Sequence, residues 1–102
     1  MELSIENLKY TLPHGSGIDS EWNIEDKGKY LKCENSYHYM DEYGYYDGWI
    51  DFSVIIPKKE IDKFRVHLHT NHNGWYRAYK CMLLDYLGDT IALTLYDHFT
   101  EI

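Results

Sequence analysis

Proline and cysteine are scarce in this chain, two of each in 102 residues, and basic residues are few. With only Pro13 and Pro57 there is no proline-rich linker, and no repeat or low-complexity segment divides the chain. Cys33 and Cys81 stand 48 positions apart with no CxxC pair, which removes the zinc-finger and redox-motif classes. They read as two free thiols in a reducing cytoplasm. No stretch approaches the roughly 18 apolar residues of a membrane span. Met1–Tyr10 lacks the basic start and apolar run of a secretory leader, so the expected location is cytoplasmic. Ten Lys and Arg against seventeen Asp and Glu leave a net charge of −7. Phosphate backbones and anionic bilayers are held by concentrated basic charge, so neither nucleic acid nor membrane is expected as a direct partner.

What is abundant is apolar and aromatic. Hydrophobic residues make up 44% of the chain, enough for one core, and the length leaves room for a single domain over residues 1–102. Eleven Tyr outnumber three Phe and three Trp. A Tyr ring can be buried while its hydroxyl stays with water or a partner, which suits half-buried and contact positions. Charge is segregated along the chain. Residues 41–51 and 85–102 each hold four acids and no Lys or Arg, whereas Lys27, Lys29 and Lys32, then Lys58, Lys59, Lys63 and Arg65, form two basic clusters.

Periodicity divides the chain in two. The first dozen residues read as a short helix turning into a strand, ended by Pro13 and the Gly15-Ser16-Gly17 loop. Trp22 and Ile24 alternate with polar neighbours, Asp26-Lys27-Gly28 reads as a tight turn, and a second strand runs from Tyr30 to Met40. Asp47-Gly48 reads as a turn before the strongest strand, Trp49 to Ile56, which Pro57 ends, and Phe64 to His69 alternates as another. Beyond Trp75, Leu84, Leu87, Ile91 and Leu95 recur at three- and four-residue steps, with Tyr79, Met82, Leu83 and Tyr86 widening the stripe. The expected fold is α+β: an antiparallel meander of about four strands, with a C-terminal amphipathic helix from about Trp75 to His98 on one face. Gly88 is the point at which that helix would kink or divide.

Four constellations bear on chemistry. His67, His69 and His72 could place two imidazoles on one side of a strand and a third in the following loop, a pattern suited to zinc. It is similar to the H-x-H-x-D-H motif of metallo-β-lactamase-fold hydrolases over six residues, with Asn71 where that motif has Asp. A fourth ligand is missing, so neither a metal nor any other cofactor is expected. Asp41, Glu42 and Asp47 lack the spacing of a calcium loop. Cys33 with His38, or Ser16 with His14, can be written as nucleophile and base, but no motif surrounds either pair, and catalysis is not expected. The strongest binding candidate runs from Tyr37 to Trp49. Within it Asp41, Glu42, Tyr43, Tyr45, Tyr46, Asp47 and Trp49 combine rigid rings with negative charge, and Asp19 and Glu21 are possible flanking acids.

The run from Leu12 through Asp19, with Trp22 and the later Tyr45-Tyr46-Asp47-Gly48-Trp49, resembles small open reading frames of bacteriophages and mobile elements of Firmicutes. That resemblance implies an inhibitor of host defence of the anti-CRISPR or antirestriction type, acidic and DNA-mimicking. Its partner would be a host protein with a basic surface, such as a CRISPR or restriction nuclease. The competing readings are a metal-dependent hydrolytic domain built on the His cluster and a small-ligand sponge using the aromatic loop.

Overall fold

A computed structural model of the chain describes residues 5, 6, 8, 12, 13, 15, 17–19, 21–40, 43, 44, 46–69 and 76–100, with backbone only at 40, 46, 47, 76–79 and 97–100. Four strands, β1 (Asn23–Asp26), β2 (Tyr30–Met40), β3 (Tyr46–Pro57) and β4 (Arg65–Leu68), pair antiparallel in chain order. A 3₁₀ turn, Ile61–Lys63, precedes β4, and a helix, Tyr76–Thr100, follows it. This is the α+β meander with a C-terminal helix that the periodicity implies.

Alternation decides the faces. Leu31, Cys33 and Tyr39 of β2 and Ile50, Phe52, Val54 and Ile56 of β3 are buried on one side. The register sets Cys33 beside Val54 and Leu31 beside Ile56. Leu83, Leu87, Ile91 and Leu95 join them from the helix in one apolar cluster, with Leu8, Leu12, Ile18 and Trp22. Full burial of side chains of this size contributes about 1.5–3 kcal/mol each. Trp22 Nε1 donates to Pro13 O at 3.0 Å, and its ring meets Phe52 edge-on with centroids 5.6 Å apart.

Several local expectations are corrected. The buried helical stripe steps by four, through Leu83 rather than Leu84, because positions i and i+4 share a face. Met82 lies outside the core and is exposed. The helix is unbroken across Gly88, held to the core on both sides by Leu83, Leu87, Ile91 and Leu95. Asp47-Gly48 is no turn. β3 begins at Tyr46, and the chain reverses between Met40 and Tyr46, with a register shift at Tyr39/Met40. Gly48 sits opposite Tyr39, whose ring passes so close that an added Cβ would meet the phenol oxygen at 2.6 Å. The glycine is there to admit a cross-strand ring. At the N-terminus Ile5, Glu6 and Leu8 are helical, while Leu12 lies in a bend rather than a strand. The predicted turn after β1 is present: the Gly28 N–H donates to Asp26 Oδ1 at 2.8 Å.

Candidate functional site

The sheet side away from the helix is an open, polar face. Alternation sends Lys32, Glu34, Ser36 and His38 of β2 to it, with Trp49, Asp51, Ser53 and Ile55 of β3 and Arg65 and His67 of β4. His69 extends β4 by one more step, its N–H donating to Asp51 O at 2.8 Å.

The Gly15–Asp19 segment completes this face. Ile18 bridges to Tyr37, His38 N donates to Gly17 O at 2.8 Å, and Asp19 N donates to Ser36 O at 3.1 Å. The loop thus lies along the second half of β2 and sets the Asp19 carboxylate 2.9 Å from His38 Nε2. Across the strand, Ser36 Oγ donates to Asp51 Oδ1 at 2.6 Å.

Asp19, Ser36 and Asp51 border a groove of about 610 Å³. Asp19, Glu21, Glu34 and Asp51 line it against the single Lys32, a balance of three negative charges at neutral pH. Lys32 Nζ is itself 2.9 Å from Glu34, which raises the Lys32 pKa through that hydrogen bond and keeps its charge engaged within the groove. Trp49, 43% exposed, stands opposite His38 on the same face, and Tyr43 projects from the connection between β2 and β3 at 77% exposure.

The candidate residues are therefore partly brought together. Asp19 and Glu21 are both exposed and line the groove, and Trp49 shares its face. Tyr46 and Asp47 lie in β3, while Asp41, Glu42 and Tyr45 lie outside the described residues. Two rings of the aromatic run face the other way: Tyr39 is buried in the core and Tyr37 packs beside it, their centroids 6.2 Å apart. Glu34, Ser36 and Asp51 carry no sequence motif, and His38 stands out in the sequence only as a base for Cys33 and as part of the Tyr37–Trp49 run. The signal for them was period two, since each lies an even number of positions from Trp49 or its cross-strand partner.

Catalytic alternatives find little geometry. Cys33 and His38 face opposite sides of the sheet. Burial pushes the Cys33 thiol up to about 12, which suppresses its thiolate. Ser16 and His14 lie outside the described residues. One Ser–His contact does form, Ser53 Oγ to His69 Nε2 at 2.5 Å, but Ser53 is 1% exposed and ties β3 to the chain beyond β4. A hydroxyl so enclosed has no room for a substrate carbonyl. His67 and His69 share the open face, as their spacing requires, and His72 lies outside the described residues. Among the described residues no three His, Cys, Asp or Glu side chains are grouped to hold a metal ion.

Thiol labelling offers a direct check of this face assignment. Cys81 is exposed and Cys33 is fully buried. In native protein an aromatic disulfide reagent should titrate one thiol rapidly, and a Cys81→Ser variant should react only after denaturation. Rapid labelling of Cys33 in the folded protein would contradict its place in the core. No helix is long and apolar enough to cross a membrane among the described residues. Comparison with protein-family models, curated proteins and solved structures finds no match.

Proposed function

We propose that the chain is a binding protein that blocks a basic, nucleic-acid-handling protein, its open sheet face occupying the surface on which that partner holds DNA or RNA. The observation that carries this reading is the groove on the open face, where Asp19, Glu21, Glu34 and Asp51 outnumber Lys32. Carboxylates spread along a strand-width groove can meet Lys and Arg side chains that otherwise contact phosphates. Trp49 and Tyr43 supply apolar contact beside the charge. The resemblance to phage and mobile-element genes makes a restriction or CRISPR nuclease the natural partner class.

The test is inhibition. The purified chain is added to restriction and CRISPR nucleases cutting labelled DNA, and it is expressed in hosts carrying those systems during phage challenge. Inhibition should weaken with salt, and Asp19→Lys with Glu21→Lys should slow association roughly tenfold or more at low salt. Both positions are exposed, so a thermal melt of the variant should be close to that of the parent. A folded charge-reversed variant that inhibits as well as the parent, with the same salt dependence, would exclude the groove as the contact.

A further inference from the structure

The net charge of −7 hides a strong polarity. The two basic clusters of the sequence, some thirty positions apart, converge at one end of the sheet. Lys27 and Lys29 lie in the turn between β1 and β2, Lys58 and Lys59 directly follow β3, Lys63 closes the 3₁₀ turn, and Arg65 opens β4. The Lys58 N–H donates to Lys29 O at 3.0 Å, and Lys58 Nζ is 2.8 Å from both oxygens of Asp26, which lock the two segments together. That contact holds the Asp26 carboxyl below its usual range, with help from the Gly28 N–H.

Some of this charge is internally matched. Lys27 pairs with Glu25 at 2.6 Å, Lys58 with Asp26, and Lys63 with Glu60 at 3.3 Å. Lys29, Lys59 and Arg65 are exposed and have no carboxylate within ion-pair distance among the described residues. Tyr30, 37% exposed, lies at the same end of the sheet, paired with Pro57. Against the exposed Asp62 of the 3₁₀ turn, these three cations leave this end net positive, and an exposed ring at the same end offers a base a surface to stack on while amines and a guanidinium hold phosphates.

The geometry points to a second binding surface, in which Lys29, Lys59 and Arg65, with Tyr30, hold the phosphate backbone of a single nucleic-acid strand. A single strand fits better than a double helix, because an unpaired base is free to stack on the exposed Tyr30 ring. This surface lies at the other end of the sheet from Trp49 and does not depend on the proposed inhibitor role.

Fluorescence anisotropy of a labelled oligothymidylate tests it on the full chain. Saturable binding is expected at low salt, and three phosphate contacts predict a fall of about twentyfold between about 50 and 200 mM salt. Lys29→Glu with Lys59→Glu and Arg65→Glu should abolish binding, and Tyr30→Ser should weaken it several-fold. Lys80→Glu, exposed on the helix, should leave it unchanged. If the triple variant is misfolded by circular dichroism, each single reversal should still weaken binding several-fold. Absence of saturable binding by the parent protein at low salt would overturn the proposal. So would strand binding that survives the reversals, or binding to phosphatidylserine vesicles in place of the strand.

Discussion

Phe52→Ala should cost about 3–5 kcal/mol, the range for removing a fully enclosed aromatic ring. Phe52 is 1% exposed at the middle of β3, beside Leu68 on β4 and edge-on to Trp22. Truncation leaves a cavity between the sheet and its cover, which the register of β3 prevents from collapsing. A domain of this size has about 5–15 kcal/mol in total, so the variant should melt on the order of 20 °C lower. Urea denaturation followed by Trp fluorescence gives the free energy directly, and a loss below about 1 kcal/mol would mean that Phe52 is not central to the core.

Gly17→Ala should be the most damaging change outside the core. The backbone at Gly17 has φ of +94°, a region that costs an L-residue roughly 1–2 kcal/mol. A Cβ there would also run into the carbonyl oxygen of His38 and would meet the Tyr37 ring at 2.9 Å. The carbonyl belongs to β2 and cannot step aside, so the loop itself must lift, breaking the Gly17–His38 hydrogen bond and drawing Asp19 away from His38. The expected loss is at least about 2 kcal/mol. Gly15→Ala is the internal control: its φ is +85°, but an added Cβ meets nothing within 4 Å. It should show the conformational penalty alone, and equal melting of the two variants would refute the close approach at Gly17.

The strong strands and the helix were legible because each repeats a simple period. Ile50, Phe52, Val54 and Ile56 fall at every second position, with only Ile55 breaking the apolar–polar alternation, and Leu87, Ile91 and Leu95 step by four. Asp47-Gly48 misled because the local rule for turns competes with a tertiary one: this glycine answers to Tyr39 on the neighbouring strand, nine positions away. The same gap explains the loop at Gly15–Gly17. Two glycines signal an unusual backbone, but their target, the edge of β2 at Tyr37 and His38, is set only when the sheet forms. Of the site, the acids Asp19 and Glu21 and the ring of Trp49 could be named from composition. Asp51 and Glu34 could be placed with them only through the pairing of Glu34 with Ser53 and Ser36 with Asp51. Local patterns reveal which residues share a strand face; they do not reveal which strands lie side by side.

The chain-order pairing of the strands carries a consequence for how the protein comes into being. Only residues 27–29 separate β1 from β2 and residues 41–45 separate β2 from β3, so each pairing closes a short loop. Such a topology has low contact order and folds quickly for a sheet protein, and the β2–β3 hairpin can form before synthesis is complete. The helical part of its cover is made after all four strands, because Leu83, Leu87, Ile91 and Leu95 follow β4 in the chain. Until they emerge from the ribosome, Phe52 and its neighbours lack the helical part of their cover, and the nascent hairpin is at its most vulnerable to aggregation and to chaperone capture.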